Sequence, residues 1–287
     1  MKHLIALVVI VSTPLAVVGW AIGGAPGARV GFTVALVLLT SAWMFARPVI
    51  LQACRARRIL LDEQPELTAI VRRLSEAAGI PVPLVAISDL RTPNAFAAVT
   101  FGGGVVGVTT GLLELLSPAE IEAVVAHEIA HLTHSARGAA TLAAVLVAPL
   151  GALATASGSD LFYEIAYRKT FFRGWGGRKL RPLRDALALC TVPITALLVH
   201  VSVARDAELQ ADRVAVRLTG DAVALRAALR KIDALAGRIL APVNPAVAQL
   251  LLVHPFGEAF LGRMFDAHPP HHERLAALDA IPQLKRD

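Results

Sequence analysis

Four long stretches without Asp, Glu, Lys or Arg divide the chain: residues 4–22, 30–46, 139–157 and 186–204. Each is about the 17–25 residues that a helix uses to cross a hydrocarbon core. Trp20 and Trp43 stand near block ends, where an amphipathic ring favours the membrane–water interface. Pro14, Pro149 and Pro193 interrupt three of the blocks, which membrane helices tolerate. The first two blocks are joined by Gly23-Gly24-Ala25-Pro26-Gly27, so a helical hairpin is expected. A cleaved signal peptide is the alternative for the first block, and the second block so soon after it argues against that reading.

Between the blocks the patterning changes. Residues 67–78 have helical spacing and end at Gly79, a C-cap signal. Residues 82–88, 94–101 and 105–110 read as strands, the last two separated by Gly102-Gly103-Gly104. Ser117-Pro118-Ala119-Glu120 opens a helix, with Ser as N-cap, Pro in the first turn and Glu completing a capping box. That helix runs to about His134, and residues 205–287 are again helical by pattern. The expected class is α+β, mainly helical, with about four transmembrane helices and a small β-sheet. The expected organisation is a transmembrane hairpin at 1–50, a water-facing half at 51–138, a second apolar helix pair at 139–204, and a helical half at 205–287.

Composition agrees with the blocks. Of 287 residues, 55% are hydrophobic and only 17% charged, against roughly 25% charged in an ordinary soluble domain. Mean hydropathy is +0.60. Disorder and a fully soluble fold are excluded. The net charge of +6 would suggest nucleic acid in a soluble protein. Here the basic residues sit beside apolar blocks, so anionic lipid headgroups are the expected partner and nucleic acid is not. Arg47, Arg55, Arg57 and Arg58 follow the second block, whereas the loop before it offers Arg29. Basic residues stay inside, so the N-terminus and residues 51–138 are expected in the cytoplasm. Residues 158–184 carry seven basic side chains, against the same rule if both later blocks span. Cys54 and Cys190 form no disulfide or thiolate-metal pattern.

The chemistry is concentrated in His127-Glu128-Ile129-Ala130-His131. Histidines at i and i+4 share one helix face and can reach one zinc ion. Glu128 beside them can take a proton from water acidified by that ion. A catalytic zinc needs a third protein ligand. Glu208 is the best candidate, with Asp212 one turn later on the same face; Asp212 would hold a ligating imidazole by its other ring nitrogen. In zincins an edge strand beside the metal helix takes the peptide by strand addition, which points to Asn94 and Phe96 as substrate-binding residues.

Several motifs in order resemble the HtpX-type membrane zinc proteases, relatives of the CAAX prenyl proteases. They are the two N-terminal apolar segments, Pro93-Asn94-Ala95-Phe96-Ala97, the His127–His131 motif with an apolar pair after it, Glu208 to Asp212, and His268-Pro269-Pro270 followed by Glu273-Arg274-Leu275. The resemblance implies a gluzincin with one zinc ion per subunit on His127, His131 and Glu208, with Glu128 as base. It marks His268 and Arg274 as near the active site, where either could donate to the oxyanion of the tetrahedral intermediate. It implies a multi-pass protein of the cell (inner) membrane, its site facing the cytoplasm, cleaving membrane or misfolded proteins in quality control. Two alternatives are a narrow processing protease of the CAAX or sensor type, and a non-enzymatic scaffold with a vestigial site, which predicts a missing ligand or base. Since the ligands flank the later blocks, residues 139–204 must cross the bilayer an even number of times.

Overall fold

The computed structural model describes residues 2–60, 62–134, 136–156, 205–235, 243–252, 269 and 271–280. Helix α1 (Lys2–Met44) is two arms joined where Gly23 and Gly24 leave helical geometry, Gly24 at φ 61°. Only a residue without Cβ adopts that conformation cheaply. The arms fold back on each other through small residues. A Cβ on Gly19 would lie 2.1 Å from the Gly27 carbonyl oxygen, and one on Gly31 2.1 Å from that of Leu15. Such contacts let helix backbones approach closely, the usual device of membrane helices. Most of α1 is exposed and apolar, including Ile5, Trp20, Ile22 and Val37. Among the described residues it is the helix long and apolar enough to cross a membrane.

Helix α2 (Ala46–Ala53) leads into a four-stranded sheet. Its strands are β1 (Ala56–Arg58), β2 (Leu84–Ser88), β3 (Ala95–Thr100) and β4 (Gly103–Thr109), in the order β1-β2-β4-β3. The pair β2–β4 is parallel and the other two are antiparallel. Helix α3 (Pro65–Ala77) connects β1 to β2, and α4 (Thr110–Leu115) follows β4, capped by the Thr109 side chain.

Both faces of the sheet are covered. Ala95, Ala97, Val106 and Val108 join a core with α3 and with α5 (Pro118–Thr133), through Val71, Leu74, Val124 and Ile129. Ala86, Phe96, Ala98 and Val105 face the other way, toward Ile50 of α2 and Ala140 and Ala144 of α6 (Ala136–Ala156). The expected helix and strands are therefore present close to their expected limits; β1 and α4 are additional.

Helix α5 starts at the anticipated capping box: Ser117 N–H donates to Glu120 Oε2 at 2.8 Å. Lys231 donates to the same oxygen at 2.7 Å, tying α5 to α8 (Ala222–Leu235). The most extensive helix–helix packing is between α5 and α7 (Arg205–Thr219). A 3-10 turn (Pro245–Leu250) and α9 (His271–Asp279) complete the described chain.

The apolar block at 139–157 falls almost wholly in α6, which is 21 residues long. The block at 186–204, with Cys190 and His200, and the basic loop at 158–184 lie outside the described residues. The fold is thus mainly helical with a small mixed sheet, and among the described residues α1 is the helix that meets the length and apolarity of a crossing.

Candidate metal centre

The metal-binding pattern of α5 becomes a site because α7 crosses it. His127 and His131 are one turn apart on α5 and both are buried, as is Glu208 of α7. Their ligand atoms all lie within 4.8 Å of one another. His127 Nε2 and His131 Nε2 are 3.0 Å apart. Glu208 Oε2 is 3.4 Å from His127 Nε2, and Oε1 is 3.2 Å from His131 Nε2. A tetrahedral zinc with bonds of about 2.0–2.2 Å separates its ligand atoms by about 3.3 Å. Three buried donors at these spacings fit one zinc ion. Two nitrogens and a carboxylate oxygen are also the donor set that zinc accepts.

Asp212, one turn after Glu208, approaches the far side of His127: Nδ1 to Oδ1 is 2.8 Å. Arg274 of α9 holds that carboxylate with both edges of its fork, Nε to Oδ2 at 2.9 Å and Nη2 to Oδ1 at 2.7 Å. Burial works against the Asp212 charge, but Arg274 and His127 outweigh it and keep the carboxyl at about 2. Ionised Asp212 accepts a hydrogen bond from Nδ1–H, which leaves the Nε2 lone pair for the side of Glu208 and His131. In the metal-free site burial opposes a second proton on His127, yet Asp212 and Glu208 push the imidazole up to about 9. His131 has no such carboxylate behind it; burial and the charge of Arg137 bring it down to about 3.

Glu128 is fully buried, and neither oxygen accepts a hydrogen bond among the described residues. Its nearest cation is Arg137, with Nη2 at 3.7 Å from Oε2. Burial pushes Glu128 up to about 7, with the charges of His127 and Arg137 pulling the other way. Arg137 is itself buried; its Nη1 reaches the Gln249 carbonyl oxygen at 3.5 Å and its Nε has no partner.

The structure thus brings together His127, Glu128, His131, Glu208, Asp212 and Arg274. The last differs from its expected role. Its Nε and Nη2 are committed to Asp212, where it acts as a positioning group, and its Nη1 lies 3.7 Å from Glu208 Oε2. His268 lies outside the described residues. Asn94 and Phe96 have buried side chains. Asn94 is buried and its carboxamide oxygen accepts from Ala95 N–H at 3.0 Å. Phe96 is packed over Gly107 on the sheet face turned away from α5. Strand β3 is the sheet edge as expected, but it is already engaged: Leu252 N–H donates to Ala95 O at 2.8 Å, Phe96 bridges to Leu251, and Val99 N–H donates to the Thr141 hydroxyl at 3.1 Å. Sequence reasoning missed Arg137. The available signal was a lone basic residue between the metal-binding helix and an apolar block, where an unpaired charge is costly.

The chain is similar to known proteins. The chain matches Peptidase family M48 over residues 61–282. It is 36% identical to Protease HtpX homolog of Pyrococcus abyssi over 266 residues, which is 92% of this chain and 90% of that protein. It is 33% identical to Protease HtpX homolog of Nostoc sp. over 282 residues, 96% and 94% of the two chains. Superposed on the crystal structure of S. mikatae Ste24p it gives a TM-score of 0.44 at 18% identity, covering 96% of this chain and 64% of that one.

Proposed function

The chain belongs to Peptidase family M48 and is a metalloprotease, and we propose that it is a zinc-dependent endopeptidase of the membrane, cleaving membrane-embedded or misfolded polypeptides. The observation that carries this reading is the convergence of His127, His131 and Glu208 at 3.0, 3.2 and 3.4 Å, with Glu128 next to them on α5. Support for the membrane comes from the exposed apolar surface of α1 and the apolar blocks of the sequence.

One zinc ion held by these three side chains supplies Lewis acidity toward water and toward the scissile carbonyl. The protein's own groups do the rest. Glu128 removes the proton from the attacking water as its oxygen bonds to the carbonyl carbon. It then returns that proton to the amide nitrogen as the C–N bond breaks. Burial, which raises the Glu128 carboxyl in the metal-free protein, favours a group that can hold a proton as well as take one. Asp212 fixes the ring of His127, and Arg274 fixes Asp212. Arg137, with Nη2 3.7 Å from Oε2, gives the carboxylate of Glu128 a counter-charge.

Because His131 and Glu208 meet, the chain between them crosses the bilayer an even number of times. We take both apolar blocks as crossing, giving four spans and a cytoplasmic site. A quality-control role follows from substrate class and rests on the resemblance to HtpX-type proteases.

The test is the full-length protein purified in detergent, with metal analysis and cleavage of a casein reporter. Wild type should carry one zinc and cleave. Glu128→Gln should keep the zinc and lose at least about 100-fold in rate. Wild-type cleavage by that variant would overturn the mechanism. A single cysteine at position 159 should label from the outer side in intact cells; labelling from the cytoplasmic side alone would overturn four spans.

A further inference from the structure

Far less ordered by pairing than the metal centre is a cleft of about 670 Å³ at the end of the membrane hairpin. Arg47, Arg58 and Arg72 line it, against one acidic residue, Asp62. Among the described residues none of the three arginines is in an ion pair. Arg47 donates from Nη2 to the Gly102 carbonyl oxygen, yet its Nε is buried without a partner. The cleft is therefore rich in guanidinium donors that no carboxylate neutralises among the described residues.

Position and shape narrow what that acceptor is. Arg47 follows Met44, the last residue of α1, within one helical turn. Its bond to Gly102 draws the β3–β4 turn to the same level. Phe101 at that turn is 71% exposed, and Leu60 and Val82, which line the cleft, are 66% and 51% exposed. Large apolar side chains bare to solvent beside unmatched arginines suit neither water nor hydrocarbon alone. They suit the interface, where aromatic and aliphatic groups enter the acyl region and cations meet phosphate. A guanidinium fork matches the oxygens of a phosphate.

We propose that this cleft binds the headgroup of an anionic phospholipid of the surrounding bilayer. The phosphodiester sits among Arg47, Arg58 and Arg72, and the acyl chains leave past Leu60 and Val82. The inference rests on the membrane reading above and goes beyond it by assigning a site. It also implies that the sheet, and through β4 the metal helix, is held against the bilayer by a lipid contact on the water side of α1.

Full-length protein in detergent is titrated with phosphatidylglycerol or phosphatidylcholine, and bound lipid is counted by native mass spectrometry. Wild type should retain phosphatidylglycerol in preference to phosphatidylcholine. Arg47→Gln/Arg58→Gln/Arg72→Gln should lower that affinity by roughly fivefold per arginine, the equivalent of about 1 kcal/mol each. Arg58→Gln/Arg72→Gln, which leaves the Arg47–Gly102 contact in place, should lose the share of its two arginines. Control substitutions Arg213→Gln/Arg217→Gln/Arg230→Gln, at exposed positions of α7 and α8, should lose nothing. Equal retention of phosphatidylglycerol by the triple variant and wild type would overturn the site. So would full displacement by millimolar inorganic phosphate, which would make it a site for soluble anion, or by polyglutamate, which would make it a polypeptide site. Incorporation of wild type into phosphatidylcholine vesicles tests the membrane reading separately; failure there would remove both.

Discussion

Two neighbours on α5 sit in opposite surroundings. His127 is the start of a closed chain of hydrogen bonds: Nδ1 to Asp212 at 2.8 Å, and Asp212 to Arg274 at 2.9 and 2.7 Å. Glu128, the next residue, accepts no hydrogen bond among the described residues, and Arg137 beyond it has a partnerless Nε. Both environments are buried, so the contrast is not one of solvent. An unsatisfied buried polar group costs about 1–3 kcal/mol, and a fold keeps several together only where something else completes them. The far side of His127 is satisfied by the protein, whereas Glu128 and Arg137 keep buried polar atoms without a hydrogen-bond partner among the described residues.

The contrast can be broken first by pH. In the metal-free protein His127 keeps its second proton until about pH 9, and zinc must displace it. Each pH unit below 9 therefore costs about tenfold in apparent zinc affinity, or about 100-fold between pH 9 and pH 7. His131, brought down to about 3, adds no slope there. Asp212→Asn removes one of the two charges that raise His127, so its affinity should fall less steeply over that range. It should lie about 10–100-fold below wild type at pH 9 and approach it at pH 7. Chelator competition across pH 7–9 measures both curves, and a flat wild-type curve would sink the assignment of Asp212.

A smaller effect sharpens the other side. Arg137→Gln should lower kcat by about tenfold, the worth of one pKa unit or about 1.36 kcal/mol, with zinc content unchanged. Arg137→Lys should recover part of the loss, because it restores charge without the fork. A variant that lost zinc while keeping its turnover per bound metal would instead put Arg137 on the metal-holding side.

Much of this was readable in the chain, for identifiable reasons. The start of α5 follows from side chains that satisfy its own first amides, and the ligands from a spacing set by helix geometry. Both are local. Glu208 and Asp212 were recoverable because they repeat the same i, i+4 geometry. What failed was direction. Residues 95–99 read Ala-Phe-Ala-Ala-Val, apolar on both faces, so alternation could not say that Phe96 turns from the metal helix toward α2 and α6. Strand β1 is three residues, Ala-Arg-Arg, and exists through its pairing with β2 rather than through any preference of its own. Arg274 could be placed near the site, but its partner is 62 positions away, and no sequence pattern says which carboxylate a guanidinium will choose.

That last contact also sets an order in time. Arg274 follows His127 by 147 positions, and chains are made at about 5–20 residues per second. Roughly 7–30 seconds of synthesis separate the helix that carries the base from the arginine that steadies its neighbouring ligand. Through that interval the nascent protease has its most dangerous residues in place but not the parts that hold them in register. The centre is complete only once Arg274 has been made.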